Sequence, residues 1–268
     1  MLAIRERGAG PVVVLVHGIP GSAGVWQAVA EHLAISHRVL IPDLVGFGAT
    51  GGTPPIADLR ADAQAKALAA ALDRRGISAA TVVGHDFGGP ILLHLLDRRP
   101  DLVAALGLLS ANAFPDTRIP FPLVSVIWPV VGPAAARCLL SAPCLRFLTR
   151  RMVGAPPVRL DSRTYVGTAA QARAIRLIFA DSLNNLAERY GPFGAVMAGV
   201  TVPVSVGWGD RDPFFPIAHG HRTAAALGVG LRVFSDAGHA LPDERPMEVA
   251  TMVEELAARA RGGRRPTS

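Results

Sequence analysis

Short apolar runs alternate with amphipathic stretches along most of the chain. Six runs have the length and apolar content of strands buried on both faces: Val12–Val16, Arg38–Pro42, Thr81–Gly84, Leu102–Leu109, Val202–Val206 and Leu231–Phe234. Helical patterns lie between them, over residues 22–33, 56–75, 90–99, 217–227 and 242–260. This alternation predicts an α/β fold, with a mostly parallel sheet and helices on both faces.

The alternation stops between residues 113 and 199, where prolines and helical stretches occur without a clear strand. The same interval holds ten arginines and four acidic residues, whereas the rest of the chain has 17 basic and 17 acidic residues. A charge break of this kind indicates a separately formed segment. We therefore expect a helical cap over 113–199, inserted between core segments 1–112 and 200–261, and a flexible tail at 262–268.

Composition narrows the class of protein. Half of the 268 residues are apolar and the mean hydropathy is +0.34, which excludes disorder for most of the chain. The two cysteines, Cys138 and Cys144, are too few for a disulfide framework and lack metal-ligand spacing. A reduced, cytoplasmic protein without a metal or cofactor is therefore expected.

The cap carries two features with alternative interpretations. Ile119–Ala136 is uncharged, but its four prolines would break a membrane-spanning helix. We interpret it as part of the cap; a lid that touches a membrane surface is the alternative. The arginine surplus is interpreted as solvated helix faces, and the alternative is a surface for a lipid head group or an acidic carrier protein. No motif for nucleic acid is present.

One loop presents a candidate nucleophile. The segment Gly84–Gly89 reads GHDFGG between a predicted strand and a predicted helix, the context of the G-x-S-x-G nucleophile elbow, with Asp86 at its third position. Glycines 84 and 88 relieve crowding around a strained residue, and the following helix N-terminus favours a carboxylate. The alternative role for Asp86 is a simple helix N-cap.

An acid and a histidine follow later strands. Asp212 comes after the strand at 202–206 and His239 after the strand at 231–234. The order nucleophile, acid, histidine is that of the α/β-hydrolases. Asp212 is the preferred orienting acid, and Asp210 is the alternative. His85 is expected to pack in the turn, and Asn112 and Trp128 to line a pocket.

Together these motifs carry a family resemblance. The chain resembles the α/β-hydrolase superfamily from Val12 to about Ala260, and within it the Asp-nucleophile branch of epoxide hydrolases and haloalkane dehalogenases. His17, Gly18, Ile19 and Pro20 form a His-Gly-x-Pro turn that is similar to the oxyanion-hole turn of epoxide hydrolases. Because only sixteen residues precede His17, we expect the leading antiparallel strand of this fold to be short or absent.

The resemblance implies a two-step mechanism. Asp86 would attack a saturated carbon and form an alkyl-enzyme ester. His239, oriented by Asp212, would then deprotonate a water that hydrolyses the ester. The backbone N–H groups of Ile19 and Phe87 would stabilise the oxyanion. The expected partners are water and a small apolar or polycyclic electrophilic substrate.

The leaving group separates the two branches. In the dehalogenases that the chain resembles, an indole commonly follows the nucleophile, but Phe87 has no donor there. Epoxide hydrolases use two cap tyrosines as acids, and Tyr165 and Tyr190 both lie in the predicted cap. We therefore predict an epoxide hydrolase that produces a vicinal diol. A dehalogenase with an unusual halide site, a ligand-binding module without turnover and a ring-opening biosynthetic protein are the alternatives.

Overall fold

Seven strands form one sheet in the computed structural model, which describes residues 1–117, 121, 124–125, 128–139, 141–154, 160–165 and 167–262. The strands are β1 (Ile4–Arg7), β2 (Val12–Val16), β3 (Arg38–Pro42), β4 (Ala80–His85), β5 (Val103–Leu109), β6 (Val204–Gly209) and β7 (Leu231–Phe234). Their order is β1-β3-β2-β4-β5-β6-β7, and β1 with β3 is the antiparallel pair. The predicted α/β fold is confirmed, with a four-residue leading strand.

Helices of the core follow the strands. They are α1 (Gln27–Leu33), α2 (Ile56–Leu59), α3 (Ala61–Asp73), α4 (Gly88–Arg98), α11 (Ile217–Ala226), α12 (Leu241–Glu244) and α13 (Pro246–Gly262). The described part of the interval 113–199, which we call the cap, is helical. Its helices are α5 (Gly132–Leu139), α6 (Ala142–Thr149), α7 (Ser162–Tyr165), α8 (Ala169–Asn184), α9 (Leu186–Tyr190) and α10 (Phe193–Ala198). The predicted tail beyond Gly262 lies outside the described residues.

Two neighbouring positions of β5 show that helices cover both faces of the sheet. A Cβ atom on Gly107 would contact Leu256 of α13, whereas the Leu108 side chain approaches Gly89 of α4. Because successive strand residues point to opposite faces, α13 and α4 lie on opposite sides. Between these helices, β4 is buried along its whole length and β5 is buried except at Ala104, as expected for strands covered on both faces.

The alanine-rich stretch 56–75 forms two helices rather than the one that its pattern predicts. Arg60 separates α2 from α3 in an extended conformation, with φ −64° and ψ 150°. Its guanidinium binds Asp181 of the cap helix α8, and α2 packs against that helix. A tertiary contact therefore overrides the local helix propensity here.

Ser22, the first residue of the predicted helix over 22–33, lies before the observed helix and contacts the cap. Its side chain makes no capping hydrogen bond, and its hydroxyl instead donates to the carbonyl oxygen of Thr164 in the cap. A 3₁₀ turn over Ala23–Trp26 then leads into α1. Ser22 therefore ties the core to the cap. In the described part of the chain, no helix has both the length and the apolar character needed to cross a bilayer.

Candidate active site

Asp86 occupies a strained turn at the carboxyl end of β4. Its backbone φ is +52°, a value that residues other than glycine rarely adopt. Such strained residues cluster at functional sites. The turn is held by hydrogen bonds from Asp86 N to Leu109 O and from Gly89 N to Asp86 O. A Cβ atom on Gly84 would lie 2.6 Å from the backbone of Gly88, so glycine is required for the strand and helix to approach this closely.

The loop after β2 holds the Asp86 carboxylate from one side. The Ile19 amide donates to Asp86 Oδ1 at 2.7 Å. A Cβ atom on Gly18 would lie 2.3 Å from Asp86 Cβ, so only glycine allows this approach. His17 fixes the loop: its Nε2 accepts the Leu44 amide, so Nδ1 carries the proton and donates to Gly18 O at 2.8 Å.

His239 bridges two carboxylates. Its Nδ1 donates to Asp212 Oδ2 at 2.8 Å, and its Nε2 lies 3.5 Å from Asp86 Oδ2. The other oxygen of Asp212 accepts the amides of Phe214 and Phe215 at 2.8 and 2.9 Å, which fixes the carboxylate. The structure thus brings Asp86, Asp212 and His239 together, and the carboxylate that binds His239 is that of Asp212, whereas Asp210 is exposed.

The two carboxylates control the charge of His239. Burial by itself lowers the pKa of the imidazole, but Asp212 and then Asp86 outweigh it and raise the pKa to about 10. Burial also opposes the ionised form of Asp212, but the imidazolium and two backbone amides lower the pKa of this carboxyl below its usual value. In the free protein, His239 is therefore an imidazolium at neutral pH.

His85 supports the backbone of the histidine loop. Its Nε2 donates to the carbonyl oxygen of His239 at 2.7 Å, and the two rings pack with centroids 4.8 Å apart. Burial and the neighbouring His239 lower the pKa of His85 to about 4, so His85 stays neutral. It packs in the turn as expected, and in addition it positions His239.

A cavity of about 110 Å³ opens above Asp86 and His239. Core loops and cap helices both contribute apolar walls. The apolar residues that line it are Ile19, Pro20, Phe87, Pro90, Leu145, Leu148, Met152, Ile178, Phe179, Leu183, Leu186, Phe214 and Phe215. Beyond Asp86 and His239, its polar residues are Asn112, Ser182 and Tyr190. Such a cavity fits a small apolar ligand with one polar group.

The two tyrosines have different positions. Tyr190 lines the cavity and stacks on Phe193 with ring centroids 5.4 Å apart. Burial, and then the charge of Asp86, raise the pKa of Tyr190, so its hydroxyl remains a proton donor. Tyr165 is buried outside the cavity lining and its hydroxyl donates to Asp243. The prediction of two cavity tyrosines is therefore corrected to one.

Asn112 contributes a donor to the cavity wall. Its Oδ1 accepts the Phe114 amide at 3.2 Å and the Thr117 hydroxyl, so the amide orientation is fixed. Asn112 lines the cavity, which agrees with the predicted lining role. Trp128, predicted for the same wall, is 47% exposed and lies outside the lining.

The sequence did not indicate a contact between the cap and the histidine loop. Met152 O accepts the His239 amide at 2.6 Å, and one oxygen of Glu244 accepts the amides of both Gly154 and Gly238, at 2.7 and 2.8 Å. A Cβ atom on Gly154 would lie 2.5 Å from Gly238 N. We call residues 152–154 the clamp segment. In the sequence, the only feature that could have indicated this contact was the pair of isolated glycines, Gly154 and Gly238.

Comparisons with known proteins agree with this architecture. A family model described as alpha/beta hydrolase fold matches residues 11–130. A pimeloyl-[acyl-carrier protein] methyl ester esterase of Chromobacterium violaceum is 31% identical over 252 residues, which cover 89% of this chain and 91% of the esterase. The chain belongs to the α/β-hydrolase fold family.

Dehalogenases are among the relatives of this α/β-hydrolase. A haloalkane dehalogenase of Bradyrhizobium diazoefficiens is 36% identical over 111 residues, which cover 41% of this chain and 35% of the dehalogenase. The crystal structure of haloalkane dehalogenase DbeA from Bradyrhizobium elkani superposes with a TM-score of 0.82 at 22% identity, covering 98% of this chain and 96% of DbeA. This structural likeness shows the fold of the chain. Membership of the family shows that the chain is a hydrolase.

Proposed function

We propose that this α/β-hydrolase opens an epoxide to a vicinal diol through a covalent ester on Asp86. One observation carries the proposal: a carboxylate, instead of a hydroxyl, occupies the strained turn, with Oδ1 on the Ile19 amide and Oδ2 3.5 Å from His239 Nε2. Since carboxylates are ionised at neutral pH, Asp86 needs no base to attack a carbon.

In the first step, an Asp86 oxygen forms a bond to a ring carbon and the carbon–oxygen bond of the epoxide breaks. Tyr190 transfers its proton to the alkoxide that leaves, and the Asn112 amide hydrogen-bonds the same oxygen. Alkylation removes the negative charge of Asp86, so the His239 imidazolium becomes more acidic. The imidazolium releases a proton to solvent and the tyrosinate of Tyr190 takes one up, which leaves His239 neutral and Tyr190 protonated.

In the second step, neutral His239 takes a proton from water, and the resulting hydroxide attacks the carbonyl carbon of the Asp86 ester. The Ile19 amide lies in position to stabilise the oxyanion. Phe87 precedes the first residue of α4, so its amide has no acceptor within the helix and serves as the second predicted donor. Collapse releases the diol and restores Asp86 as a carboxylate beside imidazolium.

Leaving-group chemistry favours an epoxide. The side chains of Ile19 and Phe87, on the two loops nearest Asp86, offer no N–H donor for a halide. Tyr190, whose pKa is raised, retains a proton for an oxygen leaving group. The second candidate is dehalogenation of a haloalkane, which the N–H donor of Asn112 favours together with the dehalogenases among the relatives.

The test traps the ester. His239→Gln is incubated with styrene oxide or 1-bromobutane and analysed by intact-protein and peptide mass spectrometry, with Asp86→Asn as the matched control. For the epoxide we expect the mass of the whole epoxide added at Asp86, and no adduct in the control. A butyl adduct at Asp86 from bromobutane alone would favour dehalogenation.

Isotope labelling provides an independent readout of the same step. A single turnover of wild-type protein in ¹⁸O-water should place the label in the Asp86 carboxylate, since water attacks the ester carbonyl. Label that enters only the product in that first turnover would contradict the covalent mechanism, whichever substrate is consumed.

A further inference from the structure

Five large apolar side chains of the cap are exposed to solvent. Phe121, Trp128, Val130, Val131 and Phe147 have exposed fractions of 75%, 47%, 90%, 47% and 55%. We call these five residues the outer cap surface. Elsewhere in the described residues, large apolar side chains exposed to this degree are isolated ones such as Ile35 and Met247. Apolar groups concentrated in this way mark an interaction site.

Helix α6 connects this surface with the catalytic cavity. Pro143 and Phe147 lie four residues apart on α6 and are exposed, so they share one face of the helix. Arg151, also exposed, follows two residues after the helix ends. The opposite face carries Leu145 and Leu148, which line the cavity. One short helix therefore has an apolar face toward the active site and an apolar face toward solvent, and two exposed arginines, Arg150 and Arg151, follow it directly.

The charge beside the outer cap surface has one sign. The described residues 132–139 and 141–154 contain four arginines and no acidic residue. Arg137, Arg150 and Arg151 are exposed, and the Arg151 guanidinium lies over the Phe147 ring at 5.5 Å from its centroid. An occupant of this surface must therefore accept apolar side chains and supply negative charge.

We propose that the outer cap surface docks on an anionic lipid bilayer. Phe, Val and Trp side chains insert between acyl chains and head groups, and arginines bind the phosphates above them. A bilayer fits better than an acidic protein because the inner face of α6 lines an apolar cavity. Substrates for such a cavity partition into lipid, so docking brings the cavity to where they concentrate.

Vesicle binding tests this proposal without any turnover. Wild-type protein is sedimented with vesicles of phosphatidylglycerol and phosphatidylcholine (1:1) or of phosphatidylcholine alone. Tryptophan fluorescence provides the second readout: Trp26 and Trp208 are fully buried, so a blue shift on binding reports Trp128. We expect binding and a blue shift with the anionic vesicles, and at least tenfold weaker binding to neutral ones.

Matched variants locate the binding surface. Phe147→Ser combined with Val130→Ser, and separately Arg150→Gln with Arg151→Gln, should each weaken binding to the anionic vesicles at least tenfold. Ile35→Ser, at an 82% exposed apolar position of the core, and Arg74→Gln, at an exposed arginine of the core, should leave it unchanged.

Three outcomes would overturn the proposal. The first is absence of binding to both vesicle types. The second is equal loss in the core and cap variants, which would indicate nonspecific adsorption. The third is binding to soluble polyglutamate as strong as binding to vesicles and without a shift of Trp128, which would identify an acidic protein partner instead.

Discussion

Substitution Asp86→Asn should lower the pKa of His239 substantially. The Asp86 carboxylate lies 3.5 Å from His239 Nε2, and both side chains are buried. At an effective dielectric constant of about 20, two unit charges at this distance interact with roughly 5 kcal/mol. That energy corresponds to a pKa change of about 3.5. The pKa of His239, raised to about 10 beside both carboxylates, should fall to a value between about 6 and 7 when one is neutralised.

The assay is a pH titration of the histidine ring resonances by NMR, compared between wild-type protein and Asp86→Asn. His239→Gln assigns the resonance among the eight histidines of the chain. The reasoning is refuted if the variant and the wild type titrate within half a pH unit of each other. It is also refuted if wild-type His239 titrates near 6.5, since the two carboxylates would then not hold the proton.

This change has a kinetic counterpart, because alkylation also neutralises Asp86. In single-turnover experiments, we expect hydrolysis of the ester to depend on a group with a pKa of about 7, the value suited to a base at neutral pH. Formation of the ester should be independent of that group. The proton affinity of His239 would thus fall only after the covalent bond has formed.

Further variants probe the site and the residues that support it. Gly18→Ala should reduce turnover about 100-fold, the typical effect of losing one oxyanion donor, whereas Gly194→Ala, in an open position, should leave activity unchanged. Tyr190→Phe should lose epoxide turnover about 100-fold, while Tyr165→Phe should keep turnover and lower the unfolding free energy by about 1–3 kcal/mol because it removes a buried hydrogen bond. Burial raises the pKa of Asp243 to about 6, so its contribution to stability should decrease as the pH rises from 4 to 6, by about 3 kcal/mol. Urea denaturation at a series of pH values should show this decrease, and Asp243→Asn should remove it; an unchanged profile in the variant would contradict the assignment.

The residues at strand ends were predictable because parallel strands have a fixed geometry. Asp86, Asp212 and His239 each follow a strand, and the carboxyl ends of parallel strands meet at one edge of the sheet. The order nucleophile, acid, histidine fits Asp210 as well as Asp212, so Asp212 was only the preferred acid. In the structure, two backbone amides hold the Asp212 carboxylate.

Positions in the cap were less predictable, because the strand register does not determine them. Tyr165 and Tyr190 have the same chemistry in sequence, yet the Tyr165 hydroxyl binds Asp243 of the core, a residue 78 positions away. The break at Arg60 has the same origin, since its partner Asp181 is 121 positions distant. Local propensity contains no information about such partners.

The clamp segment joins the cap to the loop that carries His239 through backbone atoms. Met152 O and the shared carboxylate of Glu244 hold the two segments together, and the facing glycines 154 and 238 leave no room for side chains between them. A cap segment exchanged between relatives would therefore transfer specificity only if the exchanged segment ended before Met152, so that the clamp segment stayed in place. A graft that replaced residues 152–154 would remove the contacts that position the His239 loop. The hybrid protein would then lose activity through a displaced imidazole, whatever the fit of its new cap.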